Sequence, residues 1–195
     1  MASIPRNAAA ALCLMGLLFL PSCCAPYQDW DEQLESDLRL LGHRNWIVVA
    51  DSAYPAQISP GLATAYAGGD LLATVEMVLD MIRDAGHVRP LIHLDQELEQ
   101  VCEADAPGID RYRDRLHALL ESRNVVSEPH EELIGKLETT ARRFNVLVLK
   151  TDCKLPYTSV FIEFDCGYWS AEAEGRMRDA LDSAAAEEPS RRRLD

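Results

Sequence analysis

Gly42-His43 and Asp51 bracket the apolar run Trp46-Ile47-Val48-Val49-Ala50, so an imidazole and a carboxylate stand at the two ends of one stretch of chain. Histidine, with an ordinary pKa of about 6.5, moves a proton in either direction near neutral pH. Asp51 follows a continuous apolar run that reads as a buried strand, and the carboxyl edge of such strands is where open α/β sheets collect ligands. Each residue also has a plainer reading: His43 closes the end of the preceding helix, and Asp51 ties down the turn before Pro55.

The elements that must position this pair follow from periodicity. Leu34, Leu38 and Leu41 recur at i, i+4 and i+7, which predicts an amphipathic helix, with Gly42 expected to end it in a left-handed conformation. Trp46 to Ala50 predicts a strand buried on both faces. An extended chain from Asn45 to Asp51 reaches ~20 Å at about 3.3 Å per residue, so His43 and Asp51 cannot both touch one small molecule across a straight strand. Either the Gly42 turn folds back or the two residues serve sites shared between subunits.

Downstream, Asp51 to Gly69 carries Pro55, Pro60, Gly61, Gly68 and Gly69 and reads as a long loop. Asp70 can cap a helix running to about Asp84 and stopped at Gly86. Pro90 to Leu94 predicts a second strand. A helix follows Pro107-Gly108 on Ile109, Tyr112, Leu116 and Leu120, and another opens at Ser127 or Glu128 on Leu133, Ile134 and Leu137. Val146 to Lys150 and Ser159 to Asp165 close the unit as strands. Alternating strands and helices predict a single three-layer α/β domain, with a mainly parallel sheet and helices on both faces.

At 195 residues there is room for one ordinary domain and a processed or flexible end. The net charge of −13, with no basic stripe, disfavours nucleic acid and anionic membrane surfaces as partners. Residues 1–22 read as a signal peptide: Arg6 precedes an apolar stretch from Ala8 to Leu20, too short to span a bilayer. Leu20-Pro21-Ser22-Cys23 resembles a bacterial lipobox, which would make Cys23 the lipidated first residue of an exported, periplasmic or cell-surface protein. Membrane association would then come only through the lipid anchor. Residues 23–33 read as a tether, 34–169 as the domain and 170–195 as a polar tail, partly helical or disordered. No CxxC pair or metal-ligand spacing surrounds the cysteines, so no metal site is expected; a bridge between Cys153 and Cys166 and free thiols are both open.

Gly42-His43, the strand, Asp51 and Tyr54-Pro55 together resemble the opening motif of the D-ribose pyranase and L-fucose mutarotase family, the RbsD/FucU fold. Val146 to Thr151, followed by Pro156-Tyr157-Thr158-Ser159 and a strand, resembles that family's closing motif. The resemblance implies an enzyme that interconverts ring forms or anomers of a free, ribose- or fucose-like aldose without a cofactor, assembled as a ring-like homo-oligomer. It casts His43 as the general acid/base and Asp51, His130, Tyr157 and Ser159 as substrate ligands. Ser159 stands where the family usually has asparagine; a hydroxyl lacks the two-pronged edge of an amide. His93 and Asp95, at the end of the second strand, are lesser candidates for the same pocket. Two other readings remain at this point: a carbohydrate-binding lipoprotein that keeps the pocket without turnover, favoured by Ser159, and an unrelated interaction module.

Overall fold

Strand β1 (Trp46–Ala50) alternates strictly: Ile47 and Val49 join one apolar cluster, while Trp46, Val48 and Ala50 join another. All five residues are buried, as a central strand covered on both faces requires. The computed structural model describes residues 30–191. The signal-peptide and lipidation readings, residues 1–22 and Cys23, lie outside the described residues.

Around β1 the chain forms β2 (Leu62–Tyr66), β3 (Val88–Asp95), β4 (Val125–Glu128), β5 (Val146–Lys150) and β6 (Val160–Cys166). The helices are α1 (Trp30–Asp37), α2 (Leu71–Ala85), α3 (Ile109–Leu120), α4 (His130–Thr140) and α5 (Ala171–Arg191), and a 3-10 turn spans Gln96–Gln100. The six strands lie in one sheet in the order β2-β5-β1-β6-β3-β4. Three of the five pairings are parallel, while β6 runs against both of its neighbours. The expected α/β domain is therefore present, with a mixed sheet.

The two clusters are the two faces of the sheet. Leu34, Val75, Val78, Leu79, Ile109 and Leu116 bring α1, α2 and α3 onto the face of Ile47, Ile92 and Ile162. On the other face, Leu133 and Leu137 bring α4 against Trp46, Val48 and Phe161. Burying a Leu or Ile side chain contributes ~1.5–3 kcal/mol, and these residues are the main source of stability.

Local signals set several boundaries. Asp70 accepts a hydrogen bond from the Ala73 N–H at the start of α2. At its end, Gly86 takes φ 69°, and its N–H returns to the Ile82 carbonyl. Gly42 does not play the equivalent part after α1: that helix stops at Asp37, and the left-handed residue of the following turn is Arg44, at φ 75°. Helix α1 starts at Trp30, inside the segment read as tether.

Two strands depart from the sequence reading. The Asp51–Gly69 segment holds β2, and Val125–Glu128 is strand β4 rather than the opening of a helix; α4 begins at His130. Both are short edge strands with partly exposed side chains, so neither carries the apolar alternation by which a strand is recognised. β2 is placed by Gly61: a Cβ there would run into the carbonyl oxygen of Phe144 and lie 2.7 Å from that of Ala141.

Candidate functional site

Because β6 is antiparallel to β1 and β3, its first residues lie at the edge where those two strands end. Asp51 after β1, Ser159 before β6 and Asp95 at the end of β3 therefore sit side by side. The parallel pairing of β3 with β4 sets Asp95 opposite Glu128, from which the chain turns through Pro129 into α4 and presents His130 at its first position.

Within this cluster Ser159 and Asp51 bond reciprocally. The Ser159 hydroxyl donates to Asp51 Oδ2 at 3.0 Å and accepts the Asp51 backbone N–H at 3.2 Å. Asp51 Oδ1 accepts the Ala53 N–H at 2.8 Å, which fixes the carboxylate in the turn. Ser159 is buried, and Asp51 is half-buried.

His130 is held from two sides. Its Nδ1 lies 3.0 Å from Asp95 Oδ1, and its backbone N–H donates to both oxygens of Glu97 at 3.1 Å each. Glu97 thereby caps α4, which has no side-chain cap of its own, and places negative charge at a helix N-terminus, where it is favourable. The imidazole meets the Tyr157 ring edge-on, with centroids 5.5 Å apart. Tyr157 is a non-glycine residue at φ 57°, a strained conformation of the sort that gathers at functional sites. Tyr157 is 40% exposed, so part of its surface is open to solvent.

Below these residues the interior is unusually polar. Asp95 is 2% exposed, and burial pushes its carboxyl up to about 6, against the hydrogen bond from His130. Its second oxygen, Oδ2, has no partner among the described residues, and neither does the hydroxyl of buried Tyr54. Burial, followed by the charges of Asp95, Asp51 and Glu138, raises Tyr54 to about 12.

Four of the five candidate contact residues, Asp51, His130, Tyr157 and Ser159, thus converge on one edge. His43 does not. It lies in the turn before β1, at the opposite edge, with its side chain 57% exposed and Nε2 3.6 Å from Asp165 Oδ1 near the end of β6. The Gly42 turn does not fold back toward Asp51, which removes one of the two arrangements the reach of the strand allowed.

His93 and Asp95 part company. His93 stacks on Trp46 at 4.9 Å and lies between Glu128 (2.6 Å) and Glu163 (3.3 Å), with 5% of its side chain exposed: a packed structural residue. Asp95 points instead to the site. Sequence reasoning passed over Glu97 and gave Asp95 little weight; the available signal was a buried strand ending in a carboxylate with a second acid two residues on. Cys153 bonds Thr158 at this edge while Cys166 pairs with Val88 at the other, so the two thiols are held apart by the length of β6 and do not bridge. Among the described residues no group of three or more His, Cys, Asp or Glu is arranged to hold a metal.

No family model and no curated protein sequence matches the chain. Among solved structures, it is similar to Bacillus subtilis RbsD complexed with D-ribose, at 19% identity and a TM-score of 0.48, over 67% of this chain and 89% of that one. It is also similar to the fucose mutarotase of Streptococcus pneumoniae in complex with L-fucose, at 18% identity and a TM-score of 0.46, over 67% and 89% of the two chains. FucU from Bifidobacterium longum aligns at 14% identity and a TM-score of 0.39, over 68% of this chain and 92% of that one.

Proposed function

We propose that the protein interconverts the ring forms or anomers of a free aldose by acid/base-assisted ring opening. The observation that carries this reading is the convergence at one sheet edge of an imidazole backed by a buried carboxylate (His130 and Asp95), a carboxylate-hydroxyl pair (Asp51 and Ser159) and an exposed aromatic ring (Tyr157). Such a set can accept hydrogen bonds from sugar hydroxyls, stack against a sugar face and move one proton.

In the proposed step a base takes the proton of the anomeric hydroxyl, the bond from the anomeric carbon to the ring oxygen breaks, and an acid protonates that oxygen. The open aldehyde is then attacked by a hydroxyl on either face, reversing both transfers. The sum is a change of ring form or configuration, and no redox equivalent or group carrier is consumed. Proton transfer of this sort is worth ~100- to 10,000-fold, a useful gain over spontaneous mutarotation.

His43 lies at the far edge and is open to solvent, so in this reading it serves the site of a neighbouring copy in a homo-oligomer. Fixing the chain to a membrane through Cys23 would direct the activity to sugars outside the cytoplasm.

Exchange NMR with ribose, fucose and related aldoses tests the activity: wild type should speed anomer or ring-form exchange, and His43→Ala should slow it. Unchanged exchange with every sugar would end the enzyme reading. For the shared site, His43→Ala and Asp51→Asn chains mixed by co-refolding should recover about a quarter of the wild-type rate, since random pairing leaves that share of sites with both native residues. No recovery on mixing would refute sharing.

A further inference from the structure

A buried carboxylate that uses one oxygen and leaves the other without a partner is a poor way to stabilise a fold. Taking a charge out of water is costly unless its lone pairs are satisfied, and Asp95 Oδ2 has no partner among the described residues. The groups around Asp95 make ionisation harder still. Glu97 from the 3-10 turn and Asp51 after β1 are like charges, and Tyr54 contributes an uncharged phenol; His130 on α4 is the counterweight. Asp95 is thus kept at a cost to the fold, and its one bond goes to the partly exposed imidazole of His130.

The chemistry of that bond is decisive. An ionised carboxylate can only accept, so Nδ1 of His130 must carry the proton it shares with Asp95 Oδ1 at 3.0 Å. In the neutral imidazole Nε2 is then bare, and it has no protein partner among the described residues. The backbone of the same residue is fixed by Glu97, so tautomer and position are set by two different acids.

We propose that Asp95 is a positioning residue that holds His130 in its Nδ1–H tautomer, so that Nε2 of His130 is the proton-transfer atom of the chain's own site. This rests on the ring-opening reading above and gives His130 a part in the chemistry beyond contacting sugar. Nε2 accepts the proton of a substrate hydroxyl, becoming imidazolium with both nitrogens donating, and returns it to the ring oxygen; Asp95 stabilises the cation and takes up no proton in the cycle. When Asp95 is neutralised at lower pH it no longer enforces the tautomer.

Long-range proton–nitrogen NMR of wild type at pH 7.5 tests the first half with no reference to activity. His130 should be in the Nδ1–H form, and Asp95→Asn should shift it toward Nε2–H. The Nε2–H form in wild type, or an unchanged tautomer in a folded Asp95→Asn protein, would overturn the proposal. On an aldose that wild type turns over, Asp95→Asn and His130→Gln should each lower kcat by roughly 100-fold with KM within about threefold. A loss confined to KM would mean that His130 only binds, and would overturn the second half. If His130 shows the expected tautomer but no aldose is turned over, the ring-opening reading fails, the role of Nε2 in it fails too, and only the positioning by Asp95 stands.

Discussion

Neutralising Asp95 should change how the stability of the whole domain depends on pH. In the unfolded chain this carboxyl gives up its proton near 3.9, as a free aspartate does. In the folded protein burial holds the proton until about 6. Between those values the folded state binds more protons than the unfolded one, so stability falls as pH rises through the window. The contribution is fully present below about 4 and is lost above about 6. At about 1.4 kcal/mol per pH unit, the displacement amounts to about 3 kcal/mol. The assay is urea unfolding followed by tryptophan fluorescence, from pH 4 to pH 8, for wild type and Asp95→Asn. Groups remote from residue 95 titrate alike in both, so the difference between the two curves isolates residue 95 and the neighbours it acts on, Asp51, Glu97 and His130. Asn cannot ionise, and the variant should gain on wild type by roughly 3 kcal/mol across the window. A flat difference would refute the reasoning, and one of opposite sign would mean that the buried site favours the carboxylate.

Tyr54→Phe should be neutral to stabilising by about 1 kcal/mol in the same measurement, because it removes a buried hydroxyl that has no partner while keeping the ring against Phe161; a loss above 1 kcal/mol would reveal a hydrogen bond that the hydroxyl makes in solution. His93→Ala should cost about 3 kcal/mol, since it takes the partner of Glu163 and one of the two partners of Glu128, which keeps Lys136, and removes the stack on Trp46. A cost below 1 kcal/mol would show that water, together with the Lys136 already paired with Glu128, satisfies the two acids.

Much of the frame was legible in the sequence because its signals are local. Trp46 to Ala50 read as a buried strand and forms one with those bounds, and Asp70 and Gly86 marked both ends of α2 by capping chemistry. β2 and β4 were missed because edge strands are half-exposed, and Leu62-Ala63-Thr64-Ala65-Tyr66 has no face that must be apolar. Of the site, Asp51, Tyr157 and Ser159 flank strands and were reachable from the chain. The bond between Asp95 and His130 was not, since 35 positions separate them and only the pairing of β3 with β4 brings them together. The reach of an extended strand did exclude, from the sequence alone, a straight strand with both ends on one ligand.

Strand β6 carries Ser159 just before one end and Asp165 near the other, against Asp51 and His43 respectively. A deletion or insertion inside it would therefore disturb both partnerships at once, and a slip of a single residue would also turn its buried side chains to the wrong face. The two edges of the sheet are inherited as one ruler: substitutions can tune either end separately, but a change in the length of β6 cannot.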